Sequence, residues 1–275
     1  MKSIVICVDH NPLNESVCKY GLNMAKNLGL KVTFLHVINT PLTAPHFLGL
    51  AAGGLVVSES SAVVYELENT KPDDEDVKNA EIILKDCLKF ADEFEVEATT
   101  DLKCGDIVNI LINYENAYAF IVTTKEESQE VQNNITALIR ETKTPILFVN
   151  KEFSQINSVL IAFDGGNSAV NALNFLKDNE IFGQNLEYHV INVNKDCKKS
   201  EDILNQAREI LHKKNAKFIS LNGEVADELI NYRRSNNLDL YIMGGFSKGI
   251  FATLFFGSTS KNVVQNALVP VFIVT

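Results

Sequence analysis

The sequence predicts an α/β fold: two tandem, Rossmann-like, five-stranded parallel-sheet domains paired as a pseudo-dimer. Three observations lead there. The chain repeats itself, short Val/Ile-rich runs alternate with helix-period segments, and the connection between the two copies is short.

The repeat is read directly. SIVICVDHNPLNESVCKYGLNMAKNLGLKVTFLHVI opens the chain, and SVLIAFDGGNSAVNALNFLKDNEIFGQNLEYHVINV restarts it at Ser158. Each copy gives an apolar run ending in an aspartate, Asp9 or Asp164, then a polar turn, a helix-period segment and a second apolar run. Further on, CGDIVNILIN (104–113) matches NGEVADELIN (222–231), each a Gly-acid turn opening a helix. The copies close alike, TPILFV (144–149) and VPVFIV (269–274), after the helix-like segments NNITALIRETK and TSKNVVQNAL. Strands alternating with helices imply βαβ units and a parallel sheet. In the second copy the strands are expected near 158–163, 186–193, 217–221, 238–243 and 271–274.

The domains follow: 1–150, then 157–275, joined by a short linker around Asn150–Asn157. The first carries an insertion, residues 40–76, between its second strand and second helix, where the second copy has a few residues. Its apolar part, PHFLGLAAGGLVV, is too short to span a bilayer, which takes about 20 residues. It could line a pocket, cover an interface or pack as an extra hairpin.

Composition narrows the function classes. The chain has 275 residues, 46% hydrophobic and 22% charged, the balance of a soluble globular protein, and its net charge of −10 argues against nucleic acid or an anionic membrane as partner. MKSIVICVDHN is charged too early for a signal peptide and reads as a first strand, so a cytoplasmic location is expected. Five cysteines without CxxC spacing indicate free thiols rather than structural zinc. Residues 1–150 hold 12 Lys/Arg against 22 Asp/Glu, whereas residues 151–275 hold 13 of each, so an anion meets less repulsion at the C-terminal half.

Ligands of open parallel sheets bind beyond the C-terminal strand ends, where strand order reverses. Two such ends in the second copy carry unusual loops: FDGGNS (163–168) and MGGFSKGIFATLFFGST (243–259). The first offers a carboxylate and a flexible turn. The second offers glycines and then Gly257-Ser258-Thr259 at an expected helix start, where free N–H groups attract anions. Helix capping alone would explain one hydroxyl there but not the glycines upstream. No GxxxxGK[ST] is present, which argues against a P-loop NTPase, and the five histidines are scattered without a Ser-His-Asp or Cys-His spacing.

In this arrangement the chain resembles the universal stress proteins, whose fold is of the adenine nucleotide alpha hydrolase-like type and often occurs in tandem. Nucleotide-binding members carry G-x₂-G-x₉-G-[ST] after the fourth strand. Here Gly244, nine-residue spacing and Gly257-Ser258 match, while Ser247 replaces the second glycine. The resemblance implies that Asp164 contacts the nucleoside and that the backbone at Val193 recognises adenine. It further implies that Met243, Gly244, Ser247, Gly257, Ser258 and Thr259 form the phosphate-binding segment. Lys248 lies outside the motif; it could reach a phosphate as a point charge, or be a solvated loop lysine. In the first copy the alignment puts Gln132-Asn133 where Gly257-Ser258 stand, in a shorter loop with no glycine and with Glu126, Glu127 and Glu130, so that copy is not expected to bind ATP in the family manner.

Two functions follow from the resemblance. The first is a stress-response sensor or switch that binds ATP with Mg²⁺, or a related adenine nucleotide, at the C-terminal domain. No general base is evident beside the phosphates, so it is not expected to be an enzyme beyond slow hydrolysis or self-phosphorylation. The second is a scaffold or interaction module that binds no nucleotide and uses the 40–76 insertion. The pseudo-dimer forms within one chain, and a homodimer remains open to either.

Overall fold

The computed structural model describes residues 2–39, 72–124, 129–245 and 269–274, with only the backbone course described over 129–133. Five strands belong to the first copy: β1 (Ser3–Cys7), β2 (Lys31–Ile38), β3 (Ala98–Cys104), β4 (Ala117–Thr123) and β5 (Ile146–Val149). The second copy supplies β6 (Ser158–Ala162), β7 (Glu187–Val193), β8 (Ala216–Leu221), β9 (Leu240–Gly244) and β10 (Val271–Val274). All ten form one sheet in the order β3-β2-β1-β4-β5-β10-β9-β6-β7-β8. Every pairing is parallel except β5 with β10, which meet antiparallel with Leu147 opposite Phe272. The last strand of each copy thereby covers the other's edge, which would otherwise expose unpaired N–H and C=O groups.

Seven helices are described: α1 (Asn14–Leu28), α2 (Asp74–Phe94), α3 (Ile107–Ile112), α4 (Gln129–Glu141), α5 (Asn167–Asp178), α6 (Cys197–Ile210) and α7 (Val225–Asn236). Their starts have local causes. Asp73, Asp106 and Asp196 each accept a hydrogen bond from backbone N–H groups in the first turn of α2, α3 and α6. Asp106 is the acid of the expected Gly-acid turn. Its counterpart Glu224 takes the same extended backbone before α7, but its longer side chain makes no cap bond. Helix α2 begins at Asp74, slightly inside the expected insertion, whose residues 40–71 lie outside the described ones.

The central strands are buried on both faces, as expected for a parallel sheet with helices on each side. One apolar core lies under α1, α2, α5 and α6, the other under α3, α4 and α7, and each contains strand residues from both copies. The linker is fixed at both ends. Phe153 and Ser154 donate their backbone N–H groups to Ser16 Oγ (3.0 Å) and Tyr20 Oη (3.2 Å) of α1. Asn157 and Ser158 donate theirs to Asp239 Oδ2, at 2.9 and 3.0 Å.

A buried polar cluster interrupts the second core edge. His189, 2% exposed on β7, shares a 2.9 Å hydrogen bond with Tyr232 Oη, and its Nε2 lies 3.4 Å from Glu187, which also pairs with Lys217. Burial holds the imidazole below its ordinary value, outweighing the attraction of Glu187, while Lys217 adds to the lowering. The imidazole is therefore neutral in the fold and more readily protonated in the unfolded chain. Its contribution to stability is full above the ordinary histidine value of about 6.5 and is lost as pH falls below it. The urea midpoint is expected to drop between about pH 7 and pH 5.5, with a smaller drop in His189→Gln; equal drops in both proteins would assign the effect to other groups.

Candidate functional site

Strand β6 is the point of divergence in the C-terminal half, with β9 on one side and β7 on the other. Ala162, its last residue, lies opposite Met243 of β9 and Ile191 of β7. The chain beyond Ala162 therefore emerges between Gly244-Gly245 and Asn192-Val193. This brings together four residues named from the sequence: Asp164, Val193, Met243 and Gly244. Ser247, Lys248, Gly257, Ser258 and Thr259 lie outside the described residues.

The turn after β6 is built from its own side chains. Asp164 is exposed, and its Oδ1 accepts the Gly166 N–H at 2.8 Å. Gly165 sits at φ +77, a conformation that side chains disfavour, and any Cβ there would also press on Ile203 at 3.3 Å. Gly166 then precedes α5 in extended conformation, and no side chain caps the helix. The first N–H groups of α5 thus have no side-chain cap.

Gly244 has a packing role that the motif alone did not reveal. A Cβ built there would stand 2.5 Å from Ser168 C, 2.6 Å from Ser168 Oγ and 2.7 Å from Ala169 N. The missing side chain is what lets the start of α5 close onto β9. Met243, fully buried, anchors the strand end from below. Gly245 donates its N–H to Val274 O at 2.9 Å, tying the start of the following loop to β10.

Val193 is half-buried at the end of β7, in register with Leu221 of β8. Its neighbour Asn192 was not among the expected residues. It is 4% exposed and donates through Nδ2 to Phe163 O at 2.8 Å, holding the Asp164 turn onto β7. Its Oδ1 is buried with no partner among the described residues. The signal was present in VINV, where one amide interrupts an apolar run.

The equivalent place in the first copy differs. A cavity of about 160 Å³ opens there, lined mainly by apolar side chains such as Leu35, Val37, Ile107, Ile135 and Leu138, with Asp9 also in its lining. Gln132 and Asn133 lie within helix α4 rather than at its start. Among the described residues no group of three or more His, Cys, Asp or Glu could hold a metal ion, and no helix is long and apolar enough to cross a membrane.

Paired five-strand α/β units, a continuous sheet and strand order that diverges at β6 define the structural class. Residues 187–275 match the model of the universal stress protein family. The chain is also 26% identical, over 285 residues, to a universal stress protein of Synechocystis sp., covering 98% of this chain and 99% of that one. By these two matches the chain is similar to universal stress proteins, over residues 187–275 to the family's model and over nearly its whole length to the Synechocystis protein. Solved structures share its fold. A universal stress protein from Archaeoglobus fulgidus DSM 4304 superposes with a TM-score of 0.71 at 22% identity, covering 98% of this chain and 95% of that one. A functionally unknown protein from Pseudomonas aeruginosa PAO1 superposes with a TM-score of 0.56 at 13% identity, covering 100% and 92%.

Proposed function

We propose that this protein binds ATP, or a related adenine nucleotide, in its C-terminal half and acts as a sensor or switch rather than as an enzyme. The observation that carries the reading is the convergence of Asp164, Val193 and Met243-Gly244 on neighbouring strand ends beside the uncapped start of α5. An exposed carboxylate and free helix N–H groups suit the sugar and phosphate parts of a nucleotide. In this reading Asp164 receives the nucleoside and the backbone at Val193 receives adenine. Ser247, Lys248, Gly257, Ser258 and Thr259 complete the phosphate segment, and Mg²⁺ accompanies the phosphates.

The domain roles are part of the proposal. Residues 157–275 form the nucleotide-bearing unit. Residues 1–150 form a degenerate copy, whose apolar cavity and acidic residues 126, 127 and 130 disfavour a polyphosphate. A cytoplasmic location fits the free thiols, all five of which are unpaired by disulfides. The scaffold reading draws support from Gly244, whose identity the contact with Ser168 already explains without a ligand.

Calorimetric titration of the full chain with ATP–Mg²⁺, alongside Gly257→Glu, tests the assignment. Saturable binding is expected in the natural protein and its loss in the variant, where a carboxylate would meet the phosphates. Absence of saturation at about millimolar ATP would overturn the nucleotide reading. Binding that survives Gly257→Glu but not changes at residues 126–134 would move the site to the first copy.

A further inference from the structure

We propose that Cys18 and Cys87 are a redox modification site: on meeting a hydroperoxide they form an intramolecular disulfide that fixes helix α1 to helix α2. Both thiols are buried, 69 positions apart in sequence, and their sulfurs stand 3.7 Å apart. A disulfide measures about 2.05 Å, so each sulfur has to move by only about 0.8 Å. The other three cysteines, half-buried Cys7 and exposed Cys104 and Cys197, belong to other elements.

The pair is asymmetric. Cys87 Sγ accepts from the Cys18 thiol and also from Asn14 Nδ2 at 3.7 Å, whereas Cys18 donates. These two donors favour the Cys87 thiolate and lower its pKa, while donating to Cys87 and burial raise that of Cys18. Cys87 is therefore the attacking sulfur and Cys18 the resolving one. Asn14, the first residue of α1, is half-buried and hydrogen-bonds the Cys87 sulfur through Nδ2.

The chemistry balances with the hydroperoxide as oxidant. The Cys87 sulfur attacks the terminal peroxide oxygen. An S–O bond forms, the O–O bond breaks, and the departing oxygen takes the Cys87 proton to leave as an alcohol or as water. Cys18 then attacks the Cys87 sulfenic sulfur. The S–S bond forms, the S–O bond breaks, and hydroxide leaves as water with the Cys18 proton. The two thiols lose two electrons in total, and the peroxide bond gains them.

Asn14 connects this pair to the strand-end turn of the first copy, because its Oδ1 accepts the Asp9 N–H at 3.3 Å. Drawing the Cys87 sulfur toward Cys18 loosens one of the two side-chain hydrogen bonds of Asn14, the other being to Asp9, which lines the apolar cavity.

The test uses the full chain carrying Cys104→Ser and Cys197→Ser, which removes the exposed thiols. The protein is treated with hydrogen peroxide, alkylated under denaturing conditions, and mapped by peptide mass. The expected result is a reducible crosslinked peptide joining Cys18 and Cys87, with simultaneous loss of alkylation at both. That peptide is absent in Cys18→Ser and in Cys87→Ser, and it forms more slowly in Asn14→Ala. If Cys18 and Cys87 stay fully alkylatable while Cys7 is oxidised, the proposal fails. It fails equally if Cys87 proceeds to sulfinic acid without pairing. Since the decisive measurement is made with both thiols present, a variant that folds poorly does not confound it.

Discussion

Gly244→Ala is expected to destabilise the protein by about 1–3 kcal/mol, a large effect for a single methyl group. The new Cβ would fall 2.5 Å from Ser168 C and 2.7 Å from Ala169 N. Both are backbone atoms of the first turn of α5, so no rotamer change relieves the clash. The helix start has to lift from β9, and it is held there by buried Ala169, Ala172, Leu173 and Leu176. Removing the other close contact, Ser168 Oγ at 2.6 Å, with Ser168→Ala is expected to leave most of the loss in place. Urea denaturation with unchanged slope and a lowered midpoint is the checking measurement. A midpoint within error of the natural protein would mean that the start of α5 yields freely. In that case the reason for glycine would lie with a ligand instead.

That contrast also shows where sequence reading reached its limit. The strands were legible because Val/Ile-rich runs bounded by turns have few other solutions: the run expected at 158–163 forms a strand over 158–162, and that expected at 271–274 matches in full. The tandem order and the short linker followed from the repeat. Gly244 was legible as a glycine that something approaches closely, but not as one approached by Ser168, which comes from a different βα turn. The bond from Asn192 to Phe163 O and the meeting of Cys18 with Cys87 depend on how strands and helices pack across the fold. Local propensity carries no term for such contacts. The residues proposed for phosphate, from Ser247 to Thr259, lie outside the described residues.

Phe272→Ala is expected to cost about 3–5 kcal/mol and to weaken both copies together. Phe272 is fully buried in β10, paired with Leu147 of β5 on one side and Ile242 of β9 on the other. Its ring meets Phe182 edge-on, with centroids 5.2 Å apart at 88°, and Phe175 at 5.9 Å and 44°. Phe175 in turn packs at 5.9 Å on Tyr118 of β4, whose hydroxyl bonds to Asn179 at the end of α5. A line of aromatic rings thus crosses from the second copy into the first, next to the one antiparallel pairing in the sheet. Truncating Phe272 opens a cavity beneath that seam, and the surrounding strands cannot collapse into it because their own positions are fixed by ladder hydrogen bonds. Amide exchange followed by mass spectrometry is expected to show faster exchange in both 117–123 and 158–162. Faster exchange confined to the second copy would show that the copies fold independently and that the seam only juxtaposes them. If they are coupled, partial opening also exposes the edges of β5 and β10 at once. The variant is then expected to aggregate on heating more readily than its loss of stability alone would cause.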